Sequence, residues 1–259
     1  MDDVRLTVLG CCGAWPTVGA AGSGYLVEHD GFRLLVDVGY AVMPRLQEYV
    51  AVDELDAVLI SHGHPDHCVD LNPLLRGRML RDDPPVPLPV FAPAGELDAV
   101  LALDRPGMLD GGFVLTDLAD GDQFRVGPFA VEARELPHSR PNVGLRIAAS
   151  GRSLVYTGDS GASPVTPELA RDADVLLAEA SFVDELPGDS ARTLSSADQR
   201  GELATAANVR HLVLTHLLPG TDPAASAVAA RRRFAGELTV ATTGLVVELG
   251  RSETSSGHG

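Results

Sequence analysis

Residues 56–67 read DAVLISHGHPDH, and this stretch decides the fold. Its first half is an apolar run typical of a buried strand, and its second half holds three imidazoles and a carboxylate. Gly63 and Pro65 favour a tight turn, which can send side chains to two different sides. One loop can therefore supply ligands to two metal ions. The candidate ligands are His62 and His64 on one side and Asp66 and His67 on the other.

Three further residues suit the same chemistry because each directly follows an apolar run. They are His138, Asp159 and His216. Functional groups of α/β folds concentrate in such strand-end loops, and imidazole and carboxylate groups are ligands that zinc takes in proteins. Taken singly, His138 also fits an exposed loop histidine, Asp159 a helix N-cap, and His216 a buried histidine bonded to backbone. Chance clustering in a polar loop is the alternative for 61–67, but the whole chain has only 8 histidines.

Short apolar strands alternate with helical stretches along the chain. We predict strands at 6–9, 25–28, 32–38, 56–61, 124–126, 130–136, 143–148, 154–157, 175–178, 211–215, 238–241 and 245–249. We predict helices at 41–50, 66–79 with a kink or start at Pro73, 96–103, 197–207 and 223–234. This pattern predicts a four-layer α/β sandwich, two central sheets covered by helices, as one domain over 1–250. The polar tail 251–259 is predicted to be disordered.

The composition limits the classes of function. The 36 Asp and Glu residues exceed 20 basic ones, for a net charge of −16, and none of the basic residues is lysine. Schiff-base and P-loop lysine chemistry are thereby excluded, and binding to a large nucleic acid or an anionic membrane is disfavoured. We see no signal peptide or membrane-spanning run and expect a cytoplasmic protein. Cys11, Cys12 and Cys68 form no CxxC pair and are interpreted as packing residues.

With these residues in order, the chain resembles the metallo-β-lactamase-fold hydrolases and, within them, the ribonuclease Z-like branch. The resemblance runs over nearly the whole chain, from about residue 4 to 249, and implies the αββα sandwich. Its motifs specify the superfamily much more closely than the substrate. The matching segments are HxHxDH at 62–67, His138, YTGDS at 156–160, LTHL at 214–217 and VLLAEASF at 175–182 with Glu179 at the acidic position.

The resemblance also implies two divalent metal ions, with zinc expected and manganese or iron as alternatives. One ion would be held by His62, His64 and His138, the other by Asp66, His67 and His216, with Asp159 bridging both. A metal-bridging hydroxide would then be the nucleophile of a hydrolysis. Asp66 and Glu179 are the acidic residues to which we assign a catalytic role. The carboxylates expected to fix imidazole tautomers are Asp37, Asp70 and Glu179, and a structural role suits Asp37 equally.

Two differences from ribonuclease Z narrow the range of expected substrates. Residues 192–196 read RTLSS and lack the histidine that in the family is thought to protonate the leaving oxygen, so the proton donor is left open. Residues 93–123 are too short and too acidic to form a basic arm for transfer RNA. Transfer-RNA processing is therefore disfavoured. The aspartate at 159 also excludes β-lactamases with a cysteine ligand there, and His64 disfavours the oxygen-reducing diiron branch.

The leading prediction is a phosphodiesterase acting on a small phosphodiester such as a cyclic nucleotide. Arg140 is the candidate phosphate contact, with a solvated surface arginine as the alternative. Hydrolysis of a lactone, ester or thioester is the second candidate and would suit Trp15, which either walls the pocket or packs in the core, and the Pro-rich segment 84–89. A non-catalytic metal-binding scaffold is disfavoured by the complete ligand set. The expected partner is a small molecule, and a homodimer is open because dimers are common in this branch.

Overall fold

The apolar runs of the chain form two β-sheets in the computed structural model, which describes residues 4–249. The predicted disorder of 251–259 lies outside these residues. The strands, numbered in chain order, are β1 (Val4–Gly10), β2 (Gly24–His29), β3 (Phe32–Val38), β4 (Ala57–Leu59), β5 (Leu88–Pro93), β6 (Phe113–Leu118), β7 (Gln123–Val126), β8 (Phe129–Leu136), β9 (Asn142–Ala149), β10 (Arg152–Tyr156), β11 (Val175–Glu179), β12 (His211–Thr215), β13 (Glu237–Val240) and β14 (Val246–Leu249).

Helices flank both sheets. They are α1 (Val42–Leu46), α2 (Pro65–Cys68), α3 (Leu71–Met79), α4 (Asp98–Leu101), α5 (Val165–Leu169), α6 (Ala197–Ala206) and α7 (Pro223–Arg231). One sheet has the strand order β14-β1-β2-β3-β4-β5-β6 and the other β13-β12-β11-β10-β9-β8-β7. Apolar side chains from both sheets fill the space between them, and one further apolar cluster lies between each sheet and its helices. The predicted αββα sandwich is confirmed.

The strand directions bring several loops to one edge. Strands β10, β11 and β12 are parallel, and β8 runs the same way as β10 because both are antiparallel to β9. The carboxyl ends of these four strands therefore share an edge of the second sheet. The backbone N–H of Val143 donates a 3.0 Å hydrogen bond to the carbonyl of Ser61, which joins this edge to the loop after β4 in the first sheet.

The helix predicted at 66–79 is two helices. It breaks between α2 and α3, and the N–H of Asp70 donates to the carbonyl of Val38 in β3 there. Pro73 is the third residue of α3, where a missing N–H costs nothing because the first turn has no intrahelical acceptor. The helices at 41–50 and 96–103 are shorter than predicted, and β6 and α5 were not predicted.

Candidate metal centre

Seven predicted ligands meet where the strand ends converge, and they form two neighbouring groups. Within each group the candidate ligand atoms all lie within 4.8 Å of one another. The first group is His62, His64, His138 and Asp159, and the second group is Asp66, His67 and His216. The loop after β4 and helix α2 supply four of these residues, and the loops after β8, β10 and β12 supply one each.

The imidazoles of the first group converge on a common point. Nδ1 of His64 lies 3.0 Å from Nε2 of His62 and 3.0 Å from Nε2 of His138. Nδ1 of His138 donates a 2.8 Å hydrogen bond to the carbonyl of Thr193, so in the neutral ring Nε2 carries no proton. Nδ1 of His62 lies 3.0 Å from Oγ of Ser61. Outer contacts of this kind turn the unprotonated nitrogen toward a metal.

The second group is held from behind in the same way. Nε2 of His216 lies 3.1 Å and Nε2 of His67 3.6 Å from Oδ2 of Asp66. On their far sides, Nδ1 of His67 lies 2.7 Å from Oδ2 of Asp37, and Nδ1 of His216 lies 3.2 Å from Oγ of Ser181. His216 has a φ of 56°, a left-handed conformation that costs free energy and is found at functional sites.

Asp159 lies between the two groups. Its Oδ1 is 3.4 Å from Nε2 of His67, and its Oδ2 is 3.3 Å from Nε2 of His216 and 3.9 Å from Nε2 of His138. One carboxylate thus faces imidazoles of both groups, which is the placement that a bridging ligand needs.

The residues fit a divalent cation. Among the described residues, Nε2 of His67 and Oδ1 of Asp159 are buried without a hydrogen-bond partner. Such atoms carry a desolvation cost unless something else satisfies them. Nitrogen and oxygen donors at this spacing are suited to zinc, manganese or iron, so a metal ion would satisfy both atoms.

The electrostatics of the site set the protonation state of each candidate ligand, and a metal ion would compete with a proton at some of them. Burial and the neighbouring His67 lower the pKa of His62 well below its usual value, so its ring is neutral. Burial opposes ionisation of Asp66, but the hydrogen bond from His216 and nearby imidazole charge lower its pKa to about 2. Burial also opposes charging of His67, yet Asp159 and Asp37 raise its pKa well above the usual value. A cation can replace the proton that these carboxylates attract.

Of the three carboxylates expected to fix imidazoles, Asp37 makes the direct contact. It is fully buried and accepts hydrogen bonds from the N–H and hydroxyl of Ser61, from the hydroxyl of Tyr156 and from His67. It therefore ties the turn before His62 to His67. Asp70 does not touch any of the ligand imidazoles among the described contacts; it accepts from the N–H of Met43, so the expectation for Asp70 is wrong.

Glu179 lies behind His216 and outside both ligand groups. Its carboxylate accepts from the N–H and hydroxyl of Ser181, from the N–H of Ser195 and from the guanidinium of Arg200. Among the described contacts, it reaches His216 through the Ser181 hydroxyl. Glu179 therefore lies where it can position His216, and the catalytic role assigned to it stays a prediction. Asp66, by contrast, lies within the second group.

Arg140 is engaged with the protein itself. Its Nε and Nη2 donate to the two carboxylate oxygens of Glu96 at 2.8 and 3.2 Å. One edge of the guanidinium is thereby paired while the side chain stays 42% exposed, so the phosphate contact by Arg140 stays a prediction. Glu96 escaped sequence reasoning because it lies in a loop distant in sequence from any motif.

Other contacts of the site also escaped sequence reasoning. Thr193 contributes only its carbonyl, which leaves no side-chain signal. Tyr156 lies three residues before Asp159 in the YTGDS segment, so the sequence could have drawn attention to it. Its hydroxyl contact with Asp37 could not be predicted, because it depends on how the two sheets pack together. Residues 192–196, which lack the family histidine, thus support the site through backbone groups of Thr193 and Ser195.

Trp15 is 54% exposed, which rules out the core-packing interpretation. The preceding residue, Ala14, donates its N–H to Oδ2 of Asp66 at 2.8 Å. Trp15 therefore directly follows a residue that contacts a candidate ligand. The Pro-rich segment lies elsewhere: Pro84 and Pro85 line a surface hollow that includes none of the seven ligands.

Comparison with known proteins agrees with this geometry. The family model described as a beta-lactamase superfamily domain matches residues 33–217. The chain belongs to the β-lactamase superfamily. It is 30% identical to the probable metallo-hydrolase YhfI of Bacillus subtilis over 95% of this chain and 100% of the relative. The crystal structure of YhfI matches with a TM-score of 0.87 and 29% identity, covering 95% of this chain and 100% of that one.

A second relative lies in the ribonuclease Z group. Ribonuclease Z of Haloferax volcanii is 26% identical over 98% of both chains. Human tRNase Z, short form, has the same fold, with a TM-score of 0.77 at 22% identity over 95% of this chain and 100% of that one. This superfamily member is a metallo-hydrolase, and its resemblance to ribonuclease Z is confirmed. No helix within residues 4–249 is long and apolar enough to cross a bilayer.

Proposed function

We propose that this superfamily member binds two divalent ions, zinc by expectation, and hydrolyses a small phosphodiester such as a cyclic nucleotide. The observation that carries the proposal is the position of Asp159, whose two oxygens face imidazoles of both ligand groups. Paired ions recur in enzymes that displace a group at phosphorus, because each ion can balance charge on a different oxygen.

When bound, the ions would supply Lewis acidity and a nucleophile from water at neutral pH. The chain's own residues would do the positioning. Asp37 fixes the tautomer of His67, the Thr193 carbonyl fixes that of His138, and both place Nε2 toward the centre. Ala14 holds one oxygen of Asp66 through its N–H. The centre would thus be ordered before substrate arrives, which lowers the reorganisation that the reaction needs.

Charge and shape favour a small substrate. The protein has a net charge of −16, so a long polyanion would be repelled along its whole length. A single phosphodiester would be small enough to interact mainly with the positive charge of the metal ions. Residues 93–123, where ribonuclease Z would need a basic arm, instead hold α4 and β6, and β6 pairs with β5 in the sheet. The ribonuclease Z relative supports phosphodiester chemistry, since RNA is joined by phosphodiesters.

The exposed Trp15 supports a nucleotide. Every nucleobase has a face that stacks on an aromatic ring, and such contacts are worth about 1–3 kcal/mol per base. Trp15 directly follows Ala14, whose N–H contacts Asp66, so we expect its exposed ring to border a substrate at the centre. An acyl substrate would use the same ring, so lactone, ester and thioester hydrolysis are the alternative that the experiment must separate.

The test pairs metal analysis with two chromogenic substrates on one preparation. We expect two metal ions per chain, cleavage of bis-p-nitrophenyl phosphate, and then cleavage of a cyclic nucleotide. Asp159→Ala should lose both metal and activity, and Asp70→Asn, a carboxylate away from the ligands, should keep both. Cleavage of p-nitrophenyl acetate alone would overturn the phosphodiester proposal in favour of acyl hydrolysis. A protein that is metal-free, inactive and not restored by added Zn²⁺ would overturn it in favour of a non-catalytic scaffold.

A further inference from the structure

An ion pair outside the ligand set joins the two loops that supply the first group's imidazoles. Glu96 is only 6% exposed and lies in the loop between β5 and α4. Its Oε2 accepts a 2.8 Å hydrogen bond from the N–H of Gly63 and another of 2.8 Å from Nε of Arg140. Gly63 stands between His62 and His64, and Arg140 stands two residues after His138. Glu96 thus contacts both loops at once.

The contact at Gly63 leaves no space for another residue. A Cβ built on Gly63 would lie 2.3 Å from the carbonyl oxygen of Glu96 and 2.7 Å from its Oε2. The backbone between His62 and His64 therefore rests directly on Glu96. A shift of that carboxylate would move the peptide that carries both imidazoles.

We propose that the Glu96–Arg140 pair positions the first group and sets its affinity for a metal ion, without acting on the second group. The second group has other supports: Asp37 holds His67, and Ser181 holds His216. The inference rests on the metallo-hydrolase family and the ligand geometry, and it is independent of which ester is hydrolysed. It also assigns Arg140 a positioning role in place of a phosphate contact.

The geometry requires arginine in particular. The planar guanidinium binds both oxygens of Glu96 in parallel, and an ammonium group cannot reproduce this arrangement. Without it, the buried Glu96 keeps the N–H of Gly63 but loses its counter-charge. Such a carboxylate is free to rotate toward solvent. The turn around Gly63 then loses its fixed support.

The test measures metal affinity and not only activity. Arg140→Ala, Arg140→Lys and Glu96→Gln are titrated with zinc against a chromophoric chelator, and Co²⁺ absorption is recorded for each. In Arg140→Ala and Glu96→Gln, we expect one of two ions to bind about 10–100-fold more weakly, the range found for outer-contact changes. The second ion should keep its affinity, half of the Co²⁺ absorption should change, and Arg140→Lys should recover only part of the loss.

Arg76→Ala is the matched control. Arg76 is 39% exposed at the side chain against 42% for Arg140, and it also pairs with a carboxylate, that of Asp104, away from the ligands. It should bind both ions as the unchanged protein does. Equal affinity in Arg140→Ala and Arg76→Ala would overturn the proposal, and so would equal weakening of both ions. Unchanged metal binding with a raised KM for bis-p-nitrophenyl phosphate would assign Arg140 to substrate instead. The titration needs no turnover, so it stands even if the phosphodiester is not cleaved.

Discussion

Nδ1 of His67 donates a 2.7 Å hydrogen bond to Oδ2 of Asp37, and both side chains are fully buried. The same carboxylate accepts from Ser61, in the loop after β4 of one sheet, and from Tyr156, at the end of β10 in the other. Asp37 itself has a φ of 55°, a conformation that asparagine and aspartate tolerate better than other residues with a side chain. One strained, buried carboxylate therefore couples the packing of the two sheets to the orientation of a metal ligand.

Asp37→Asn should weaken metal binding. Asparagine tolerates the backbone conformation, but its amide has one oxygen where the carboxylate has two, so it cannot accept all four hydrogen bonds. We expect metal affinity to fall about 10–100-fold, measured by chelator competition. Asp70→Asn is the control, because that carboxylate accepts from Met43 and lies away from the imidazoles. Equal affinity in the two variants would contradict the coupling.

His64→Ala and Asp159→Ala should differ in stoichiometry. His64 belongs to the first group alone, so its loss should remove one ion and nearly all hydrolysis while the other ion remains. Asp159 faces both groups, so its loss should lower occupancy at both. Elemental analysis after gel filtration measures the difference. Full activity in His64→Ala would contradict the two-ion mechanism, and undiminished metal content in Asp159→Ala would refute the bridging role.

The candidate ligands could be predicted from the sequence because they follow strand ends, and parallel strands bring such ends to one edge. That rule alone predicts that the loop at 62–67 and residues 138, 159 and 216 lie close together. The supports of the ligands were not readable. Glu96 and Ser181 contact the site because the tertiary fold brings distant loops together, and Thr193 acts through a carbonyl that any residue would provide. Strand β6 was missed because its exposed residues, Val114 among them, do not alternate in the pattern of a half-buried strand.

Cys11 and Cys68 should be inert in the folded protein. Burial raises the pKa of Cys68 to about 12, and burial and neighbouring Cys12 raise that of Cys11 to about 12. At pH 8 such a thiol is ionised to roughly one part in ten thousand, against about a quarter for a free cysteine. Iodoacetamide followed by mass spectrometry should therefore label these two residues only after unfolding in urea. Rapid labelling of Cys68 in the native, metal-loaded protein would contradict the packing interpretation.

Arg200→Met should destabilise the metal-free protein strongly. Arg200 is buried and donates to Glu179 at 3.0 Å and to both the carbonyl and the hydroxyl of Ser160, so its loss leaves a buried carboxylate without a counter-charge. Breaking such a pair costs about 3–5 kcal/mol, measured by urea unfolding after chelation so that metal binding adds nothing. Arg5→Ala, which breaks an exposed pair with Glu28, should cost under about 1 kcal/mol.

Adding Glu179→Gln to Arg200→Met should recover part of the loss in stability, because the unpaired charge is gone. If the double variant is no more stable than the single one, lost packing explains the effect and the charge does not.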